Sequence, residues 1–265
     1  NERDEELNDG DLPQMPAGFV VKLPLKKGVV DCAGLQKIDV TGLAAIAGED
    51  PEPEFVDINS LGEIVLTMQE NNELVVIGAD GKVASHFPAG TVSLEGIDTK
   101  KDGKLDFTGS LTDIPREPDA VKWIDENHFA IANEGDWKGG SRGWSIFKKD
   151  GTLVYDSGNS FERAVAAIGQ FPEGRAGKKG VEPESVEVGT FDGQTLVFIG
   201  SERGSVVGVY DVADLAAPKL LQILPAGIGP EGYAAIASRG LLVAANETDL
   251  GADGAARAHV MIYQR

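Results

Sequence analysis

A proline followed by an acid occurs six times in this chain, where its 13 prolines and 43 Asp and Glu in 265 residues would give roughly two by chance. Four of the six open equivalent units: Pro53 and Glu54, Pro118 and Asp119, Pro183 and Glu184, Pro230 and Glu231. Each is followed by a short β-like stretch, a turn, an apolar strand and a second acid. The strands are EIVLTMQ before Glu70, HFAIAN before Glu134, LVFIGS before Glu202 and LLVAAN before Glu247. From proline to second acid the distances are 17, 16, 19 and 17 residues, whereas successive prolines lie 65, 65 and 47 apart. Spacing that varies little inside a unit and more between units describes structural modules joined by loops of different length.

A third strand follows each second acid: LVVI at 74–77, WSIF at 144–147, VVGVY at 206–210 and VMIY at 260–263. The stretches VASHF, TLVYD and KLLQIL supply a fourth in three units. These runs are rich in Val, Ile, Leu and aromatic residues, as half-buried strands require. Asp-Gly turns at 80–81, 150–151 and 192–193 join paired runs. Only residues 160–168 read as a helix, with Asn159 or Ser160 as its cap. Tandem four-strand antiparallel units predict an all-β chain, a β-propeller. Residues 1–2 read as the end of a second strand and 18–23 as a third, for about 17 strands in all. A closed ring of six or seven blades needs roughly 24 to 28. Residues 1–265 are therefore expected to be one propeller domain lacking its first blades, covering the last four to five of about seven.

The repeat also predicts chemistry. The start of a blade's first strand and the end of its second share one face of a propeller. Glu54 with Glu70, Asp119 with Glu134, Glu184 with Glu202, and Glu231 with Glu247 should therefore meet at one channel mouth. Two unit charges 4 Å apart repel by about 4 kcal/mol at an effective dielectric near 20. Such acids take up protons, pair with bases or bind cations. Oxygen donors without nearby His or Cys select a hard ion, Ca²⁺ or Mg²⁺. Arg116, Lys138, Arg142 and Arg203 are the bases close in sequence. In the alternative, the acids are structural, accepting hydrogen bonds from neighbouring backbone and from these arginines.

The net charge of −19 argues against nucleic acid and anionic lipid as partners. No apolar run is long enough to span a membrane, and residues 1–12 are acidic and unlike a signal peptide. The single cysteine, Cys32, excludes an internal disulfide and a cysteine-based zinc site. Three motif matches are expected to be incidental. GIGPEG at 227–232 precedes a strand where a dinucleotide fingerprint needs a helix, and GGSRG at 139–143 lacks the elbow's strand-turn-helix context. Residues 98–109 resemble a calcium loop but carry Lys100 at its third position and Gly109 at its twelfth, so a solvated turn is favoured. His86, His128 and His259 lie in or beside strands, as packed or surface imidazoles do.

The segments DPEPEFV at 50–56, QENN at 69–72, ANEGD at 132–136, VEPESVEVG at 181–189, VYD at 209–211, GPEG at 229–232 and ANE at 245–247 resemble the bacterial choice-of-anchor I family, in the family's order. Its members are phytase-like β-propellers often labelled alkaline phosphatases. The resemblance implies an extracellular or periplasmic protein with acids at the channel mouth and about two blades before Asn1. Two functions are then open: a Ca²⁺-dependent phosphoesterase in which the ring acids hold the metal and Arg116, Lys138 and Arg203 contact phosphate, or a non-catalytic, metal-stabilised propeller serving as a binding, structural or cell-surface module. Expected partners are metal ions, phosphorylated small molecules and the remaining blades of the same protein.

Overall fold

The computed structural model describes residues 10–265, and the expected strand end at residues 1–2 lies outside the described residues. Four antiparallel sheets follow one another along the chain, each with its strands in sequence order. The first blade comprises Pro53–Ile58, Ile64–Met68, Glu73–Ile77 and Val83–Pro88. The second comprises Val121–Trp123, His128–Ala132, Trp144–Lys148 and Leu153–Asp156. The third comprises Pro183–Phe191, Gln194–Ser201, Val206–Asp211 and Lys219–Pro225. The fourth has three strands, Pro230–Ile236, Leu241–Asn246 and His259–Gln264. The chain is a β-propeller, as the repeat requires.

Turn chemistry sets the hairpins. Asp192 and Gly193 take φ of 50° and 81° between the paired Phe191 and Gln194, the two positive angles a two-residue turn needs to match strand twist. Asp80 and Asp150 accept from the N–H groups of Lys82 and Thr152, and their following glycines take φ of 82° and 91°.

Burial in the first blade peaks in its two middle strands, with the channel strand Pro53–Ile58 partly exposed. Ile64–Met68 and Glu73–Ile77 are buried at every position, because sheets cover both their faces, whereas the outer strand Val83–Pro88 alternates. The core lies between blades. Val65, Leu74 and Val76 of the first blade pack on Val121, Trp123, Phe129 and Phe147 of the second. The aromatic rings of Phe87, Phe129 and Phe147 stack there at 6.0–6.5 Å. Trp144 and Ile146 of the second blade meet Val197, Ile199 and Tyr210 of the third. Phe198 and Val209 of the third meet Leu242 of the fourth. Each fully buried Val, Leu, Ile or Phe contributes about 1.5–3 kcal/mol, so every interface is a substantial share of stability.

Insertions account for the unequal spacing of the prolines. An unexpected hairpin, Thr91–Ile97 with Gly109–Pro115, separates the first and second blades. A helix, α1 (Ser160–Ala167), and the loop after it separate the second and third. Between the third and fourth only residues 226–229 intervene, hence the shorter interval of 47. The expected cap of α1 is not made: Asn159 instead donates to the Glu95 carbonyl at 2.7 Å, and Ser160 Oγ to the Ser157 carbonyl at 2.7 Å. Within the expected strand at 18–23, Val20–Lys22 pairs with Gln36–Ile38, and Val20 packs on the first blade. A second short hairpin, Leu25–Lys26 with Val29–Val30, was also not expected. No helix among the described residues is long and apolar enough to cross a membrane.

Candidate functional site

In three of the four blades the proline-acid pair sits where the ladder between the first two strands slips. The register shifts between Pro53 and Val56, between Pro183 and Val186, and between Pro230 and Gly232. A bulge re-aims the side chains beside it. In the second blade the strand starts only at Val121, and the Asp119 N–H reaches the Ala132 carbonyl at 3.1 Å. The residue before proline is left-handed in three blades, with φ of 42° at Glu117, 46° at Glu182 and 66° at Gly229. Glycine adopts this freely, whereas the two glutamates are strained and must be held by their surroundings. Glu117 accepts from the N–H groups of Asp136, Trp137 and Lys138, each at 2.8 Å. Glu182 accepts from Arg175 Nε at 2.5 Å and Arg203 Nε at 2.9 Å.

Neighbouring blades are tied through the acids' own carbonyls. Thr67 Oγ1 of the first blade donates to Asp119 O at 2.7 Å. The Ala120 N–H of the second reaches Glu184 O at 3.3 Å. Ser185 Oγ of the third donates to Glu231 O. The result is a cavity of about 810 Å³, the size of a small-molecule site. Its walls include Glu54, Asp119, Glu184 and Glu231 from the first strands, with Glu134, Glu202 and Glu247 from the ends of the second.

Glu70 is the exception among the eight predicted acids. Pro53 pairs with Met68, Pro183 with Ser201 and Pro230 with Asn246, so the residue equivalent to Glu202 and Glu247 is Gln69. A slip of one residue sends a side chain to the other face. Gln69 lines the cavity and donates to Glu134 Oε2 at 2.9 Å, whereas Glu70 is fully buried outside the lining.

The acids press on one another. Burial, reinforced by the carboxylates of Glu202, Glu134, Asp119 and Glu231, raises the Glu184 pKa far above the ordinary carboxylate range. Glu184 Oε2 is buried with no hydrogen-bond partner. Glu202 is raised too, chiefly by burial, against the pull of Arg203 at 2.7 Å. Burial lifts Glu134 to about 7, opposed by Lys179 and by the Gln69 hydrogen bond. Oxygens of Glu134, Glu182 and Glu202 lie within 4.8 Å of one another. Two guanidiniums already neutralise Glu182, so Glu184 is left as the acid most pressed to keep its proton.

Of the three predicted phosphate contacts, Lys138 and Arg203 line the cavity. Arg203 is engaged with Glu182 and Glu202, and Lys138 Nζ stands 3.5 Å over the Trp137 ring. Arg116 is a correction. It is buried away from the cavity, bonded to Asp156 at 2.8 Å, to Ser145 and to the Ala89 carbonyl, and serves to lock the second blade. Arg142 is likewise buried, held by Glu162 and the carbonyls of Asp98 and Ala176. Arg175, Lys178 and Lys179 line the cavity and were missed, although GRAGKKG at 174–180 is a basic run in an acidic chain. Lys179 Nζ lies 3.4 Å from Asp136 and 3.8 Å from Glu134.

The incidental motifs stay incidental. Pro230 opens a strand, not a helix. Residues 139–143 lead into the strand Trp144–Lys148. Asp98 spends both carboxylate oxygens on the N–H groups of Lys100 and Asp106, closing the calcium-like loop on its own backbone. His86 is bound to Glu73, His128 to Asp125 and His259 to the Arg257 carbonyl, none of them lining the cavity.

The segment that carries the loop at Trp137 and Lys138, the third-blade acids Glu184 and Glu202, and Arg203 also carries a family signature. Residues 137–215 match the choice-of-anchor I domain. The resemblance read from the motifs is borne out over that stretch. No curated protein matches the chain in sequence. A putative 6-phosphogluconolactonase from Bacteroides uniformis superposes with a TM-score of 0.47 and 13% identity, over 86% of this chain and 57% of its own. Hydrazine synthase of Kuenenia stuttgartiensis gives 0.49 and 13%, over 81% and 46%. Virginiamycin B lyase of Staphylococcus aureus gives 0.42 and 10%, over 81% and 56%. The chain thus spans about half the length of these structures.

Proposed function

We propose that the channel mouth binds a hard divalent cation, Ca²⁺ or Mg²⁺, and with it a phosphorylated small molecule, in the manner of a metal-dependent phosphoesterase. The observation that carries this reading is Glu184, a buried carboxylate with an unpartnered oxygen, pressed by four other carboxylates. A dication beside it would take the place of the proton that Glu184 otherwise holds. The donors are all oxygen, as such an ion prefers: Glu184 would hold it, with Asp119, Glu202 and Glu231 of the same cavity wall drawn toward it. When bound, such an ion polarises a phosphoryl oxygen and acidifies a water. Around it, Lys138, Lys178 and Lys179 would orient the anion, while Arg203, held by Glu182 and Glu202, keeps the two strand ends in register.

A second reading has its own support. Arg175 and Arg203 are both spent on Glu182, and no histidine lines the mouth, so the same ion could serve only to bind the blades together. In either case the protein acts outside the cytoplasm, where Ca²⁺ is abundant enough for a site of ordinary affinity. Further blades of the same protein are its natural neighbours: Val260 and Ile262 stand 60% and 66% exposed on the last sheet.

Calorimetric titration of this chain with Ca²⁺, followed by phosphomonoester hydrolysis with and without chelator, tests the proposal. Saturable binding that Glu184→Gln weakens at least tenfold is expected, together with Ca²⁺-dependent turnover. Binding without turnover would leave the structural reading, and an unchanged affinity in Glu184→Gln would remove the site itself.

A further inference from the structure

Apolar side chains also line this otherwise charged mouth, and the sequence is bent to place two of them there. In the inserted hairpin, Leu111 pairs with Leu94 and Ile114 with Val92, so one strand carries an extra residue between them. Residues three apart in a regular strand face opposite sides, and the extra residue restores Leu111 and Ile114 to the same side. Asp113 takes a φ of 52° to achieve this, its N–H donating to Ser93 Oγ at 3.1 Å. Both apolar side chains line the cavity.

Two other elements contribute to the same wall. Phe55 follows Glu54 in the first-blade bulge and lines the cavity while 42% exposed. Trp137 joins it from the loop that Glu117 holds, the Lys138 ammonium lying over its indole. Three separate pieces of chain thus place apolar groups beside the acids and lysines, and a strained aspartate is retained to aim two of them. Sites for small ligands combine such a wall with a few charged groups that fix orientation.

We propose that this wall receives an apolar or aromatic group carried by the phosphorylated ligand, so that the mouth prefers aryl phosphates to fully hydroxylated ones. The inference rests on the cation-phosphate reading above. Burying a phenyl-sized group supplies about 10- to 100-fold in affinity.

The test is calorimetry on this chain in saturating Ca²⁺ with phenyl phosphate, methyl phosphate and inorganic phosphate. Phenyl phosphate should bind at least tenfold more tightly than methyl phosphate. The double substitution Leu111→Ser with Ile114→Ser, on a half-exposed hairpin, should abolish that difference and leave the affinity for inorganic phosphate unchanged. Phe55→Ser, on a different element, should reduce it independently. Equal affinities for the two esters, with inorganic phosphate still binding, would overturn the apolar subsite and spare the cation-phosphate reading. If none of the three ligands binds, both fall.

Discussion

Glu70 is fully enclosed, and its carboxylate oxygens find no donor beyond its own backbone N–H. Burial carries its pKa to about 8, with Asp136, Glu52 and Glu54 adding to the effect. An unfolded glutamate titrates near pH 4.3, so between about pH 4.3 and 8 the native chain holds a proton that the unfolded chain has lost. Stability therefore falls as pH rises through that window, by up to about 1.4 kcal/mol per pH unit for this group. Glu70→Gln removes the charge and keeps the shape. Melting temperature against pH should be flatter between pH 5 and 8 in the variant, and higher than the parent at pH 8. The slopes due to Glu134 and Glu184 remain in it; an unaltered slope would show that Glu70 does not titrate as a buried acid. Arg116 gives the opposite test. Arg116→Ala strands Asp156 and Ser145 and should cost about 3–5 kcal/mol in urea unfolding. Arg203→Ala, at a side chain 44% exposed, should cost far less.

At the scale of elements, the bulged strand ends and the loop that Glu117 holds do the positioning. Glu117→Ala would leave the Asp136, Trp137 and Lys138 N–H groups without their acceptor and release a strained backbone, for a net loss of about 2 kcal/mol. Trypsin should then cut at Lys138 in the variant under conditions where the parent resists, with the blades' far-ultraviolet dichroism unchanged. The blades themselves were legible, because proline-acid pairs, Asp-Gly turns and β-branched runs act locally. Register was not. Glu70 is the acid nearest the expected spacing, yet pairing of Pro53 with Met68 assigns its place to Gln69. The hairpin of Thr91–Ile97 and Gly109–Pro115 was invisible as part of the site, since its two apolar contributors depend on one extra residue. Arg116 stands beside an acid in sequence but turns into the second blade, where Asp156 and Ser145 await it across 40 and 29 residues.

Over the whole molecule, the −19 charge is distributed so that part of it converges on one cavity. A cation there competes with protons on Glu184 and Glu202, whose pKa values are raised in the folded chain. Ca²⁺ should accordingly raise the melting temperature more at pH 8 than at pH 6, and excess chelator should reverse the gain. A rise independent of pH would mean that the ion binds elsewhere on the surface. The hydrogen bonds from Thr67, Ala120 and Ser185 give this a mechanical side. Each blade grips the backbone of the next blade's acid, at Asp119, Glu184 and Glu231 in turn. The mouth is thereby a drawstring and not a set of independent posts. Pulling one carboxylate inward tugs on its neighbours around the circumference, so a single ion seated at Glu184 should stiffen blades that it never touches.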